Sequence, residues 1–410
     1  MFKLYEVKCM LLLRFLFIAL FIIIWCCEDA NPLHDPKADI DIGKTYVDTL
    51  FATQDTFIVK GKINTGESPK LLIGSYQDFS TRFLIKFTNP GSDSGETVSA
   101  KVEFNSSSDF GPVSGSIDCD VYQVLEAWVE NVNEFSSWTA YMEKINPSAV
   151  ASFNISPSDS VYQFELPVTL IDQWQDTSTT SNYGLLIDFS SANYIKEISS
   201  SEGINSPRLI IEKIFPNDST AIDTISSGIM DASLIEYDGT LFDQDNNNFF
   251  ISAGYAVHSF IKFDFDLIPD NAMISSVNFV LSKDKENSII NENRKTEIIV
   301  RNVTSSYDSL HFGVYEIDSS FVNTPSHYLY LDEEVNNNIY MSDDIQLNNS
   351  NRVISRILNN VIKHEFFYLE FYREYYDISV YSIKDSHISN GVLRPKLIIK
   401  YHLQDDKTRI

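Results

Sequence analysis

Past residue 27 the sequence contains a single cysteine, Cys119. That excludes a disulfide framework in the body of the chain, whose cores must hold by burial alone. Cys119 lies in "SIDCDV", where Ile117 and Val121 occupy the alternate positions beside it, the setting of a small buried thiol in a strand and not of a nucleophile. Positive charge is also scarce. Against 57 Asp and Glu stand 31 Lys and Arg, a formal charge of −26, so the surface repels phosphate backbones and nucleic acid is no partner. The seven histidines are scattered, with no H-E-x-x-H or C-x-x-C companion, and no other catalytic signature is present, so the chain reads as noncatalytic. With 15 glycines and 13 prolines in 410 residues, fibrous and low-complexity classes are excluded as well.

Long hydrophobic runs are missing except at the start. There Lys3, Lys8 and Arg14 precede the apolar stretch "FLFIALFIIIW", Phe15 to Trp25, which ends at Cys26 and Cys27 and then turns acidic. That order is a secretory signal's. As a helix the run rises only about 16 Å, roughly half a bilayer core, which favours export over a permanent span. A cysteine directly after such a run resembles a bacterial lipoprotein signal, and Cys27 is the expected lipidation residue, with Cys26 as the alternative. The mature protein is then expected on a membrane through its lipid, at the periplasmic face or cell surface.

What is abundant is short alternating runs of Val, Ile, Thr, Tyr and Phe, in a chain 43% hydrophobic and 13% aromatic, the composition of strands. The runs recur. "RFLIKF" at 82–87 matches "HSFIKF" at 258–263, an offset of 176; "VYQV" at 121 matches "VRNV" at 300; "TLIDQW" matches "RVISRIL"; and Pro207 matches Pro395, an offset of 188. An offset that grows steadily is what loop insertions between matched strands produce. The expected organisation is a signal segment at 1–27, a tether at 28–43, a first domain at 44–214, a Ser/Thr/Asp-rich linker at 215–230, a second domain at 231–403 and a polar tail at 404–410. Leu170, Ile171 and Trp174, and again Val353, Ile354, Ile357 and Leu358, fall at helical spacing. The fold class predicted is all-β: two tandem antiparallel β-sandwiches of jelly-roll type, each with a short helical turn.

Arg82 with "FLIKF", Trp128, "TLIDQW", "NYGLLIDF" at 182–189, "SPRLIIEK" and, in the second copy, "RPKLIIKY" occur in the order seen in the DNRLRE-type domains. The chain resembles that family of carbohydrate-binding-module-like jelly rolls over most of both copies. The second copy departs from it: His258 stands in place of Arg82, Ile357 in place of Trp174, and no "NYG" follows. The resemblance implies noncatalytic modules, some of which bind polysaccharide, with Trp128 and Trp174 packed inward and Trp138 left for exposure.

Among binding candidates, "FYREYYD" at 371–377 stands out, because Tyr372, Tyr375 and Tyr376 offer rings for sugar faces while Arg373 and Glu374 can hydrogen-bond hydroxyls. Trp138 is the candidate in the first copy. No cofactor is demanded by any motif; calcium has one candidate place, "DQDNNN", where Asp243, Asp245 and Asn247 set oxygen-bearing side chains at alternate positions without the glycine and closing glutamate of an EF-hand. The expected function is therefore binding of polysaccharide or another cell-surface component by a monomer. A structural or adhesive protein with protein partners is the alternative, and a polysaccharide-active enzyme a more distant one.

Overall fold

The computed structural model describes residues 44–90, 95–130, 142–176, 181–215, 218–226, 229–243, 247–290, 297–302, 328–330, 334–335, 338–342, 366–371, 374–376 and 378–403. Alternating apolar positions form strands throughout. The chain enters on β1 (Thr45–Lys62), then runs through β2 (Lys70–Tyr76), β3 (Phe79–Lys86), β4 (Glu96–Phe110), β5 (Ile117–Gln123), β6 (Ala151–Ile155) and β7 (Val161–Glu165). The helix α1 (Val168–Gln175) follows, then β8 (Leu185–Ser191), β9 (Ile195–Ser199), β10 (Arg208–Phe215), β11 (Asp218–Ser226) and β12 (Met230–Tyr237). The second half holds β13 (Asn248–Ser252), β14 (Tyr255–Phe263), β15 (Ala272–Ser282), β16 (Glu297–Asn302), β17 (Tyr328–Tyr330) and β18 (Glu334–Val335). It ends with β19 (Asn338–Ser342), β20 (Phe366–Phe371), β21 (Val380–Lys384) and β22 (Lys396–Leu403).

These strands make two antiparallel β-sandwiches, each an 11-stranded hydrogen-bonded series. Within the first, alternate residues such as Phe83, Ile85, Cys119, Val121, Leu185 and Ile187 point into one core, as the two-residue period of a strand requires. α1 buries Leu170, Ile171 and Trp174 against that core, so Trp174 packs inward; Trp128, also expected inward, is buried at 6% exposure but on the opposite, outer face of the sheet, against Leu84 and Leu186. The matching helical pattern at 353–362 lies outside the described residues.

The sheets divide the chain differently from the repeat. β1, which opens the first copy, pairs in the second sandwich, between β14 and β22. β11 and β12, which open the second copy, pair in the first, β11 beside β10 and β12 beside β3. The exchange keeps the repeat's register: Gln54 stands opposite Lys262 and Met230 opposite Lys86, and both members of each matched pair are 176 residues apart. The stretch 215–230, read above as a linker, holds β11. Its Ser, Thr and Asp suggested a loop, yet its backbone forms a ladder with β10 that runs from Arg208↔Ser226 to Lys213↔Ala221 and, past a register shift, to Phe215↔Asp218, and a satisfied ladder outweighs weak side-chain preference.

Pro207 and Pro395 immediately precede β10 and β22, where a missing N–H removes no ladder bond; the Pro395 carbonyl instead accepts from Ala52 N at 2.8 Å. A further apolar cluster is shared by both sandwiches: Leu72, Phe79, Phe110, Ile195 and Ile235 from one meet Phe242, Phe250, Val257, Ile378 and Val380 from the other. Residues 46–404 accordingly form one compact unit.

Candidate functional site

Residues on a strand that do not face the core face outward, and on β12, β3, β8, β5 and β6 they line up in rows. One row is Leu234, Arg82, Asp188, Asp120 and Ser152. Arg82 is only 8% exposed. Its Nε donates to Asp188 Oδ1 at 3.0 Å and its Nη1 to Glu236 Oε2 at 2.7 Å, so a nearly buried guanidinium is held by two carboxylates, a fork geometry suited to bidentate donation. Ser152 Oγ donates to Asp120 Oδ1 at 2.7 Å and Asn154 Nδ2 to Asp118 Oδ1 at 2.6 Å.

The neighbouring row is apolar, with Ala232, Leu84, Leu186 and half-buried Tyr122. Over it lies the segment after β5, which contributes Val124, Trp128 and Ile145, and Trp128 Nε1 donates to the Tyr183 carbonyl at 2.7 Å. Among the described residues, therefore, half of the outer face is covered and half is an acidic, hydroxyl-rich ledge. Desolvation, then Asp120 and Asp188, push the Tyr122 phenol up from its usual range.

The second sandwich repeats the arrangement. His258 takes the place of Arg82 and, by register, stands beside Glu370 as Arg82 stands beside Asp188. His258 Nε2 meets Glu374 Oε1 at 2.7 Å, His258 Nδ1 meets the Tyr368 hydroxyl at 2.7 Å, and that hydroxyl reaches Glu370 Oε2 at 2.5 Å. His258, Glu370 and Glu374 could face a metal by proximity, one atom of each lying within 4.8 Å of the others. Both ring nitrogens are engaged, however, and a metal-ligating histidine needs one free.

Several residues expected from sequence can be placed. Glu374 brings its 3-10 turn, Glu374–Tyr376, against the second face, so half-buried Tyr375 belongs to a turn anchored at His258. Tyr376 lies in that turn, while Tyr372, Arg373, Trp138, Asp245, Cys26 and Cys27 lie outside the described residues. Asp243 ends a 3-10 turn and is exposed, as is Asn247; Asn247 has φ of 54° and its carbonyl accepts from Asp385 N at 3.0 Å. Asp243 belongs to no group of described His, Cys, Asp or Glu residues placed to share a metal.

Two aspartates on the exchanged strands, buried Asp231 and half-buried Asp55, belong to no motif in the sequence. Asp231 on β12 accepts from Ser201 N at 2.7 Å, and Asp55 on β1 accepts from Ser386 N at 2.7 Å. They are 176 residues apart, the same offset as Lys86 and Lys262, and that coincidence was the available signal. Burial pushes the Asp231 carboxyl up to about 8, with Glu202 and Glu130 adding to it against the Ser201 hydrogen bonds; burial also raises Asp55.

No family model and no curated protein matches the chain. Among solved structures it is similar to an infectious bursal virus derived T=1 particle at 9% identity, covering 88% of this chain and 74% of that one, with a TM-score of 0.10. Similarity at that level carries no function to this chain.

Proposed function

We propose that the protein is a noncatalytic, exported and lipid-anchored module whose two outer faces bind a neutral polysaccharide. The observation that supports this most is the recurrence of one base–acid pair at the same register in both sandwiches, Arg82 with Asp188 and His258 with Glu370. Cross-strand rows of carboxylates accept hydroxyl protons, the held guanidinium donates, and a half-buried tyrosine beside each row supplies a ring for a sugar face.

The sign of the charge sets the ligand class. Asp118, Asp120, Asp188 and Glu236 share the first face with one arginine that Asp188 and Glu236 already hold, so a polyuronate or sulfated chain meets repulsion there, whereas a neutral chain meets acceptors. Two faces in one compact unit would engage stretches of one polymer and raise avidity over either alone. Acylation of Cys27 would keep both faces at the membrane surface.

The test is retention of the protein on immobilised neutral and acidic polysaccharides. Retention on a neutral glucan, mannan or xylan, and none on alginate or pectate, supports the reading. Retention on no glycan, with protein partners captured instead, would replace it with an adhesive role.

A further inference from the structure

We propose that Glu130, Glu202 and Asp231 form a binding site for a divalent, oxygen-seeking cation, with calcium as the best fit. Each carboxylate contributes an oxygen, and the three oxygens lie within 4.8 Å of one another. Three converging carboxylates in one small volume repel each other strongly when ionised. A hard divalent cation, which takes six to eight oxygens in flexible geometry, turns that repulsion into attraction.

Asp231 makes the site more than a surface cluster. It is 1% exposed. Its Oδ2 accepts from Ser201 N at 2.7 Å, but its Oδ1 is buried and finds no hydrogen-bond partner among the described residues. Closing the turn after β9 accounts for the first oxygen and leaves the second unexplained, and a buried carboxylate oxygen without a partner is costly. The two oxygens share one carbon, and one of them lies within 4.8 Å of carboxylate oxygens of Glu130 and Glu202.

The other two ligands are positioned by backbone. Glu130 Oε1 accepts from Asp231 N at 2.8 Å. A Cβ on Gly66 would come within 2.3 Å of Glu130 Cγ, so glycine lets the connection between β1 and β2 press against this side chain. Glu202 is exposed, and both its oxygens accept from Ser201 Oγ, at 2.9 and 3.0 Å. The site therefore opens to solvent on the Glu202 side and is closed on the Asp231 side, with water left to complete the coordination.

The matching position in the second sandwich serves as an internal comparison. Asp55 accepts from Ser386 N just as Asp231 accepts from Ser201 N, so the turn-closing role is common to both copies. Around Asp55 the charged neighbours are Asp385 and His387, and no three-carboxylate group forms there among the described residues. Among the described residues the two added glutamates occur in the first copy only.

The experiment is calorimetric titration of the full-length protein with calcium chloride after chelator treatment, with thermal melting alongside. Uptake of one ion and a raised Tm are expected, as a ligand that binds only the folded state must produce. Glu202→Gln, at an exposed side chain whose loss leaves the core intact, should weaken binding at least tenfold. Asp231→Asn, which keeps the shape of the side chain but removes a ligating carboxylate, should abolish it. No uptake by the unaltered protein, or undiminished uptake in Glu202→Gln, overturns the site.

Discussion

The Tyr401 hydroxyl donates a 2.7 Å hydrogen bond to Asp48 Oδ2, joining strands 353 residues apart in sequence. Tyr46 stacks on the same ring, with centroids 5.5 Å apart. The first strand of the chain thus completes the last sandwich, and β11 with β12 completes the first. Neither sandwich is closed by the strand that opens its own copy of the repeat.

Removing residues before Asn64 should therefore loosen the distant sandwich. Hydrogen exchange is expected to speed up in β14 and β22, which lose β1, while Phe83–Ile85 and Leu185–Ile187 stay protected. Equal loss in both sandwiches, or loss confined to the first, would contradict the exchange. Tyr401→Phe, which removes only the hydrogen bond to Asp48, should cost about 1 kcal/mol in denaturant unfolding.

Gly184, the glycine of the "NYG" motif, is fixed by backbone geometry. Its φ is +90°, and an added Cβ would sit 2.2 Å from the Ile85 carbonyl oxygen. Asn182 frames the turn by donating to the Phe87 carbonyl at 3.0 Å and accepting from Gly184 N at 2.9 Å. Gly184→Ala should destabilise by at least ~2 kcal/mol, through both strain and collision, measured as a fall in the urea midpoint.

Trp174 is fully buried at 0% exposure. Trp174→Ala should cost about 3–5 kcal/mol through lost contacts and a cavity under α1, read from the same unfolding curves. Its indole N–H has no partner among the described residues, so Trp174→Phe should cost much less.

Acid should act through Asp284. Partial burial opposes its charge, but hydrogen bonds from Lys384, Asn287 and Asn248 outweigh that and hold its carboxyl down at about 2. A folded pKa below the unfolded value gives stability that is present above about pH 4 and is lost as pH falls through the folded pKa. Asp284→Asn should accordingly lower the Tm at neutral pH, and the gap from the unaltered protein should close towards pH 2.

Strands, cores and the repeat were legible because each rests on local pattern: alternation in "RFLIKF" and "SIDCDV", helical spacing around Trp174, and growing offsets between matched landmarks. The exchange was not. β1 and β11–β12 open equivalent copies and fit equivalent gaps, so nothing in their pattern says which sandwich each completes; only the three-dimensional course of the connections decides. The candidate site was legible in part. Arg82 and His258 were matched from sequence, but Asp188, Glu236 and Glu370 join them through cross-strand register, which no single stretch contains. Asp231 stayed hidden among 57 acidic residues, because its burial comes from the exchanged strand that holds it.

The most direct measurement is affinity for a soluble neutral polysaccharide by calorimetry, comparing the unaltered protein with Tyr122→Ala, Tyr375→Ala and the double variant. Two cooperating faces predict at least a tenfold loss in each single variant and no detectable binding in the double variant, with all three melting as folded proteins. Unchanged affinity in the folded double variant would contradict binding by these faces.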